Sequence, residues 1–163
     1  MVRVAILVIT ALILVNAVYV AAEFAAVSVR RSRLRQLADE GHPLAAWVLP
    51  IVESPAALDR YIAACQIGIT LSSLVLGAYA QATLAVWLAP VFAQLGGMQP
   101  LAAQSTSAVV VLLGLTVGQV VFGELVPKSL ALQYPTQTSI YTVIPMLGSL
   151  WIYRPFIKWL NGR

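Results

Sequence analysis

Charge, cysteine and histidine are all scarce in this chain: of 163 residues, 10% are charged, one is cysteine and one is histidine. Cys65 lies within an apolar stretch, and its solitude excludes an internal disulfide framework and any cysteine-cluster metal site. His42, in the turn Gly41-His42-Pro43, excludes a multi-histidine site within one chain and reads as a solvated turn residue. No charged residue stands between Arg60 and Glu124. A soluble domain carries about 25% charged residues, and too few polar groups remain here to coat a globule, so the expected solvent is lipid. The net charge of +4 does not point to nucleic acid, because the basic residues flank apolar segments, where anionic headgroups lie. No nucleophile–base pair and no cofactor loop is visible, so no enzymatic activity is expected.

What is abundant is hydrophobic sequence, 60% of the chain. A first span is expected over 4–29, interrupted only by Asn16 and Glu23. A signal peptide competes with that reading, but the apolar core from Val4 to Ala22 exceeds the 7–15 residues of a signal core, and Arg30-Arg31-Ser32-Arg33-Leu34-Arg35 follows as a stop-transfer pattern. A second span is expected over 61–89, longer than a ~30 Å hydrocarbon core needs at about 1.5 Å per residue. It therefore tilts or begins among the headgroups. A third, over 101–122, fits without excess. The last apolar stretch, 140–160, is broken by Pro145 and Pro155 and carries Arg154 and Lys158. With Trp151, Tyr153 and Trp159 it reads as an amphipathic helix pair in the headgroup plane rather than a fourth span.

The basic residues set the expected orientation. Arg30, Arg31, Arg33, Arg35, Arg60, Lys128, Arg154, Lys158 and Arg163 fall on one side of a three-span topology and only Arg3 on the other. The positive-inside rule places the N-terminus outside and the C-terminus in the cytoplasm. Between the first two spans, Leu34, Leu37, Leu44, Trp47, Val48 and Ile51 recur at roughly helical spacing. Gly41 and Pro43 divide two short helices, and Ser54-Pro55 supplies a cap and first turn for the next. The fold class expected is an all-α membrane protein: three transmembrane helices plus juxtamembrane helices over 30–58 and 136–160, forming a belt on the cytoplasmic side, in one domain over 1–163.

Polar residues within the spans need a reason, since a carboxylate at the bilayer centre costs about 2.5–3.5 kcal/mol on insertion scales. Asn16, Tyr19 and Glu23 share one face of the first helix. Gln66, Thr70, Ser73, Gly77 and Ala80 form a stripe on the second. Thr116, Gln119 and Gly123 recur on the third, followed by Glu124. Small-residue stripes are also what close helix packing uses, and Gly114 and Gly118 make a small-xxx-small pattern. Glu23 has a structural reading as a shallower acid paired with an arginine, and Glu124 as an end-of-helix acid paired with Lys128, worth a few tenths of a kcal/mol. The functional reading is a cation site. Hydroxyls, amides, carbonyls and carboxylates are hard ligands suited to magnesium, calcium or sodium. Pro127 has no N–H, so it frees the Gly123 carbonyl beside Glu124.

The stretch Gly123-Glu124-Leu125-Val126-Pro127-Lys128 resembles the signature of the membrane domain shared by CorC-type proteins and the cyclin M (CNNM) transporters. The segments from Ala21 to His42 and from Glu53 to Ala80 are similar to that domain's first helix with its basic exit and to its second helix with its approach. The resemblance covers Val15 to Pro135. It implies a homodimer with a belt of cytoplasmic juxtamembrane helices, and magnesium transport, generally export, driven by sodium entry. It places the ion site on Ser28, on Ser72 and Ser73, and on Gly123 and Glu124. Ser73 stands where many members have asparagine, and Ile69 where some have another. The family continues into a nucleotide-binding pair of CBS domains. This chain stops at Arg163 and is read as the membrane domain alone, without nucleotide regulation of its own.

The expected function is therefore magnesium (Mg2+) transport, with Na+ as a possible coupling ion. Glu124 is the main charged ligand, Ser28, Ser73 and the Gly123 carbonyl are neutral ligands, and Glu23 and Gln119 have supporting roles. The expected partners are membrane lipid, a second copy of the chain and the CBS pair, in a bacterial or archaeal plasma membrane. The rival readings are a non-transporting anchor for a cytoplasmic regulatory domain and an unselective pore.

Overall fold

Six helices account for the described structure, a computed structural model that describes the backbone of residues 2–160 and the side chains of residues 2–153. They are α1 (Val2–Ser28), α2 (Arg31–Asp39), α3 (Pro43–Glu53), α4 (Pro55–Gly96), α5 (Pro100–Gln133) and α6 (Pro135–Leu160). No described residue is in a strand. α1, α4 and α5 are long and apolar enough to cross a membrane, which matches the three expected spans.

Local signals account for the helix ends. Ser54 accepts the Ala57 N–H and Pro55 occupies the first turn of α4, as its cap-and-proline sequence predicts. Gly41 takes φ +90° between α2 and α3, and Gly97 takes φ +58° after α4, a region where a side chain is strained. His42 is more than a solvated turn residue. Its Nδ1 accepts the Ala45 N–H at 3.4 Å and caps α3. Arg35 pairs with Glu53 across α2 and α3, and the carboxylate holds the guanidinium still more firmly protonated.

Two long helices run past the boundaries expected of them. α4 begins six residues before Tyr61, because the capped approach joins the span without a break. α5 does not stop at Gly123. Its backbone widens into a π-helical turn over Gln119–Leu125 and resumes as α-helix over Val126–Gln133. Pro127 explains the widening. A proline ring collides with the carbonyl four residues back, here that of Gly123, and a wider turn makes room without ending the helix.

Contacts along α1 set the register of the bundle. Asn16 meets Ser72, Tyr19 meets Gly68 and Glu23 meets Gln66, so α4 runs antiparallel to α1. Asn16 meets Gly123 and Phe24 meets Lys128, so α5 runs parallel to it. Two apolar cores lie along this bundle. One contains Ile9, Leu76, Ala80, Ala85 and Val111. The other contains Ala22, Ala26, Tyr61, Ala64, Cys65 and Met146. Asn16 and Tyr19 lie between them. A third cluster, around Leu34, Ala45, Val48 and Val143, seats α2 and α3 on α6. Leu7, Leu74, Leu113, Val117 and Phe122 are between 62% and 69% exposed. Such a surface suits lipid or another apolar partner, not water.

α6 corrects the expectation for the last apolar stretch. It is one helix continuing through Pro145, not a pair, and it does not lie across the bundle. Ile140 and Val143 belong to the cluster at the end of α1, Met146 to the core around Ala22, and the Ser149 hydroxyl hydrogen bonds with the Tyr19 hydroxyl at 2.8 Å. α6 therefore runs back along α1, antiparallel to it. The expectation failed because the sequence does not show that Ser139, Thr142 and Ser149 are buried among helices. Each turns its hydroxyl to a carbonyl of its own helix, which makes a polar residue compatible with that setting. Of the sequence-based expectations for that stretch, those on Arg154 and Lys158 and on Trp159 concern side chains outside the described residues.

The Tyr19 ring covers Gly68 so closely that a Cβ there would overlap it, whereas a Cβ at Gly77 would meet nothing within 4 Å. Gly68→Ala should lower the thermal unfolding midpoint of the detergent-solubilised protein, by the equivalent of about 1–3 kcal/mol. Gly77→Ala should leave it unchanged.

Candidate cation site

Asn16 sits near the middle of α1, about 18 Å from Ser28 at 1.5 Å per residue, and is fully buried. An amide in that position must be hydrogen bonded or it costs several kcal/mol. Its Nδ2 donates to the Gly123 carbonyl at 3.1 Å. Its Oδ1 accepts from the Ser72 hydroxyl at 2.9 Å and from the Ser73 hydroxyl at 3.3 Å. The orientation of the amide is dictated by its partners. A carbonyl only accepts, so the nitrogen faces Gly123 and the oxygen faces the serines. Gln119 Nε2 in turn donates to Ser73 Oγ at 2.5 Å. One side chain of the first span thus joins the second and the third.

The freed carbonyl expected beside Pro127 is present and already has a donor. Gly123 is buried against Asn16, and a Cβ at that position would lie 3.0 Å from Nδ2. Ser72 has a choice of partner. Its Oγ is also 2.8 Å from the Gly68 carbonyl and 3.0 Å from the Ile69 carbonyl. Its one proton can turn to its own helix and leave the oxygen lone pairs facing the centre. Such a hydroxyl can change from donor to ligand without losing its hydrogen bond.

The expected ligands divide into separate groups. Ser72, Ser73 and Gly123 converge on Asn16. Ser28 is the last residue of α1, well away from that centre, in a groove with Arg30 and Arg33. Glu124 follows Gly123 directly but is exposed. Glu23 is half-buried two turns along α1 and takes a long 3.5 Å contact from Gln66 Nε2. Lys128 does not pair with Glu124. Its Nζ lies 4.4 Å from the centre of the Phe24 ring, a cation–π contact, and among the described residues the only ion pair joins Arg35 and Glu53. The polar stripe on α4 also divides, since Ser73 joins the centre and Gln66 reaches Glu23. Thr70 bonds back to the Gln66 carbonyl at 2.9 Å.

No three groups among His, Cys, Asp and Glu come together in the described residues. The oxygens at the centre are hard and uncharged, with carboxylates at the margin. Asn16 is the residue that the expected ligand set lacked. Its signal was present, because an amide is costly in the middle of an apolar span and shares a helix face with Tyr19 and Glu23. Sequence spacing did not show that it touches both other spans.

The family model of the cyclin M transmembrane N-terminal domain matches residues 7–162. This chain belongs to the cyclin M transmembrane domain family. The chain is 38% identical over 151 residues to the UPF0053 protein YugS of Bacillus subtilis, covering 93% of this chain and 34% of the relative. It is 37% identical over 148 residues to an uncharacterized protein of Mycobacterium tuberculosis, covering 90% and 40%. It is 27% identical over 152 residues to the polyamine export protein of Haemophilus influenzae, covering 93% and 34%. The chain thus spans about a third of the length of these relatives. Family and helices together make it part of a multi-pass membrane protein.

Asn16→Ala should leave the Gly123 carbonyl without its donor and lower stability by about 1–3 kcal/mol, read as a lower unfolding midpoint in detergent. Asn16→Asp should not restore it, because a carboxylate has no N–H to give that carbonyl.

Proposed function

We propose that this domain carries a small hard cation across the membrane, with magnesium as the cargo and sodium entry as the driving gradient. The observation that carries the reading is the convergence of Asn16, Ser72, Ser73 and the Gly123 carbonyl at mid-span. Four neutral oxygens contributed by all three spans suit a magnesium or sodium ion. Irregular backbone at membrane depth, here the π-helical turn of α5, is tolerated where it lines a site. Glu124, next to Gly123, supplies the charge when the α5 turn brings it inward, and Glu23 adds field along the approach. Magnesium sheds water reluctantly, so a site with one carboxylate binds weakly and releases readily, as a carrier requires. Ser28 is left to another role. In this reading the arginine-rich side is cytoplasmic, the N-terminus lies outside and the domain works as a homodimer. The remaining length of its relatives accommodates a regulatory CBS pair.

A second reading has one support, the relative named as a polyamine export protein. The same acceptors take ammonium N–H groups, and a site without an acid cluster makes no special demand for a divalent ion. The anchor reading predicts no flux at all.

Magnesium binding to the chain in detergent, with sodium, calcium and spermidine as competitors, tests these readings. Wild type should bind magnesium saturably. Glu124→Gln should weaken that binding about tenfold or more, equivalent to roughly 1.4 kcal/mol per factor of ten, and should slow magnesium flux in liposomes. Competition by spermidine alone would favour the polyamine reading. Equal binding in both proteins would remove Glu124 as the charged ligand.

A further inference from the structure

A groove of about 440 Å³ lies between the end of α1, the start of α2 and the first turn of α6, lined by Ser28, Arg30, Ser32, Arg33, Gln36 and Thr136. Its chemistry is one-sided. It holds two guanidinium groups, three hydroxyls and an amide, and no carboxylate. Arg33 Nη1 donates to Gln36 Oε1 at 2.8 Å, and its other N–H groups remain available. Arg30 is in no ion pair among the described residues. Two like charges around an empty groove repel, and a planar guanidinium fork matches the oxygens of a phosphate.

A second observation narrows the ligand. Arg33 and Thr136 also line a neighbouring cleft of about 490 Å³, whose walls include Leu37, Leu44 and Ile140. The basic groove therefore adjoins one whose lining adds apolar side chains to polar ones. A free phosphate would use only the first. A molecule with an anionic head and an ester or acyl body would use both. The position agrees, because Arg30 follows closely on the last turn of a membrane-spanning helix, at the level of lipid headgroups.

We propose that this pair of clefts is a binding site for one anionic phospholipid, with its phosphate held by Arg30 and Arg33 and hydrogen bonded by the Ser28, Ser32 and Thr136 hydroxyls. The site is distinct from the Asn16 centre and does not depend on the transport reading. It assigns Ser28 to an anion, since a magnesium ion there would stand beside two guanidinium groups. It also ties the end of α1 to the start of α6 through a lipid molecule.

The test is thermal unfolding of the full chain in neutral detergent, with added phosphatidylglycerol, phosphatidylcholine or inorganic phosphate. Phosphatidylglycerol should raise the unfolding midpoint by several degrees, and neither of the others should. The variant R30Q/R33Q should melt at the wild-type midpoint without lipid and lose the phosphatidylglycerol shift. The variant R31Q/R60Q, with the same net charge and both positions outside the clefts, should keep it. An equal loss in both variants would make the effect general surface charge and overturn the site. An equal shift from inorganic phosphate would overturn the lipid assignment. Should R30Q/R33Q not purify folded, R30Q alone should retain fewer phosphatidylglycerol molecules than wild type by native mass spectrometry. Retention equal to wild type would overturn the proposal.

Discussion

The hydrogen bond from the Asn16 amide to the Gly123 carbonyl is the contact on which the rest of the bundle depends. Apolar side chains pack helices in lipid without a strong preference for one register, because lipid tails are as apolar as the side chains themselves. A buried amide is different. Its nitrogen and its oxygen both call for hydrogen-bond partners, and hydrocarbon offers none. Asn16 pairs its nitrogen with the carbonyl of one neighbouring helix and its oxygen with the hydroxyls of another. A shift of either helix by one residue would break those bonds. The polar layer thus specifies the register that the apolar cores on either side of it then fill.

Pro127 and Tyr19 make that layer possible from two directions. The proline demands room at the Gly123 carbonyl, and the π-helical turn provides it while keeping the helix intact. The carbonyl is then free to take a donor from outside its own helix. Tyr19, one turn beyond Asn16, packs its ring against Gly68, one turn before Ser72. It holds α1 and α4 close enough for the Ser72 hydroxyl to reach Asn16. Its own hydroxyl meets Ser149, so the last helix is fastened at the edge of the same layer. The Asn16 centre and the packing of α6 therefore rest on residues three apart on one helix.

Much of this architecture is legible in the amino-acid sequence. The three spans follow from length and hydropathy, because a bilayer asks for about 20 apolar residues and little else. The short helices after α1 follow from Gly41, Pro43 and the Ser54-Pro55 cap, since these act through local backbone geometry. Family motifs point to Ser28, Ser72, Ser73, Gly123 and Glu124, of which Ser72, Ser73 and Gly123 each touch Asn16. The course of α6 is not legible. Its prolines, basic residues and aromatics read as an interfacial pair, yet the helix runs on through Pro145 and its buried serines satisfy themselves on their own helix. The end of α5 is hidden for a related reason, because a proline usually ends a helix and here a wider turn absorbs it.

What the sequence determined alone is local or solvent-driven: which segments enter lipid, where the helices are capped, and that an asparagine, a glycine and a glutamate stand in places that hydrocarbon penalises. Transfer free energy and backbone sterics act residue by residue, so composition and spacing suffice to read them. Tertiary structure alone decided which of those polar groups satisfy one another. It placed Asn16 between two helices, sent Lys128 to Phe24 instead of Glu124, and set Ser28 among arginines. Hydrogen bonds and cation–π contacts depend on distances of a few ångströms between residues far apart in the chain, and only packing sets those distances.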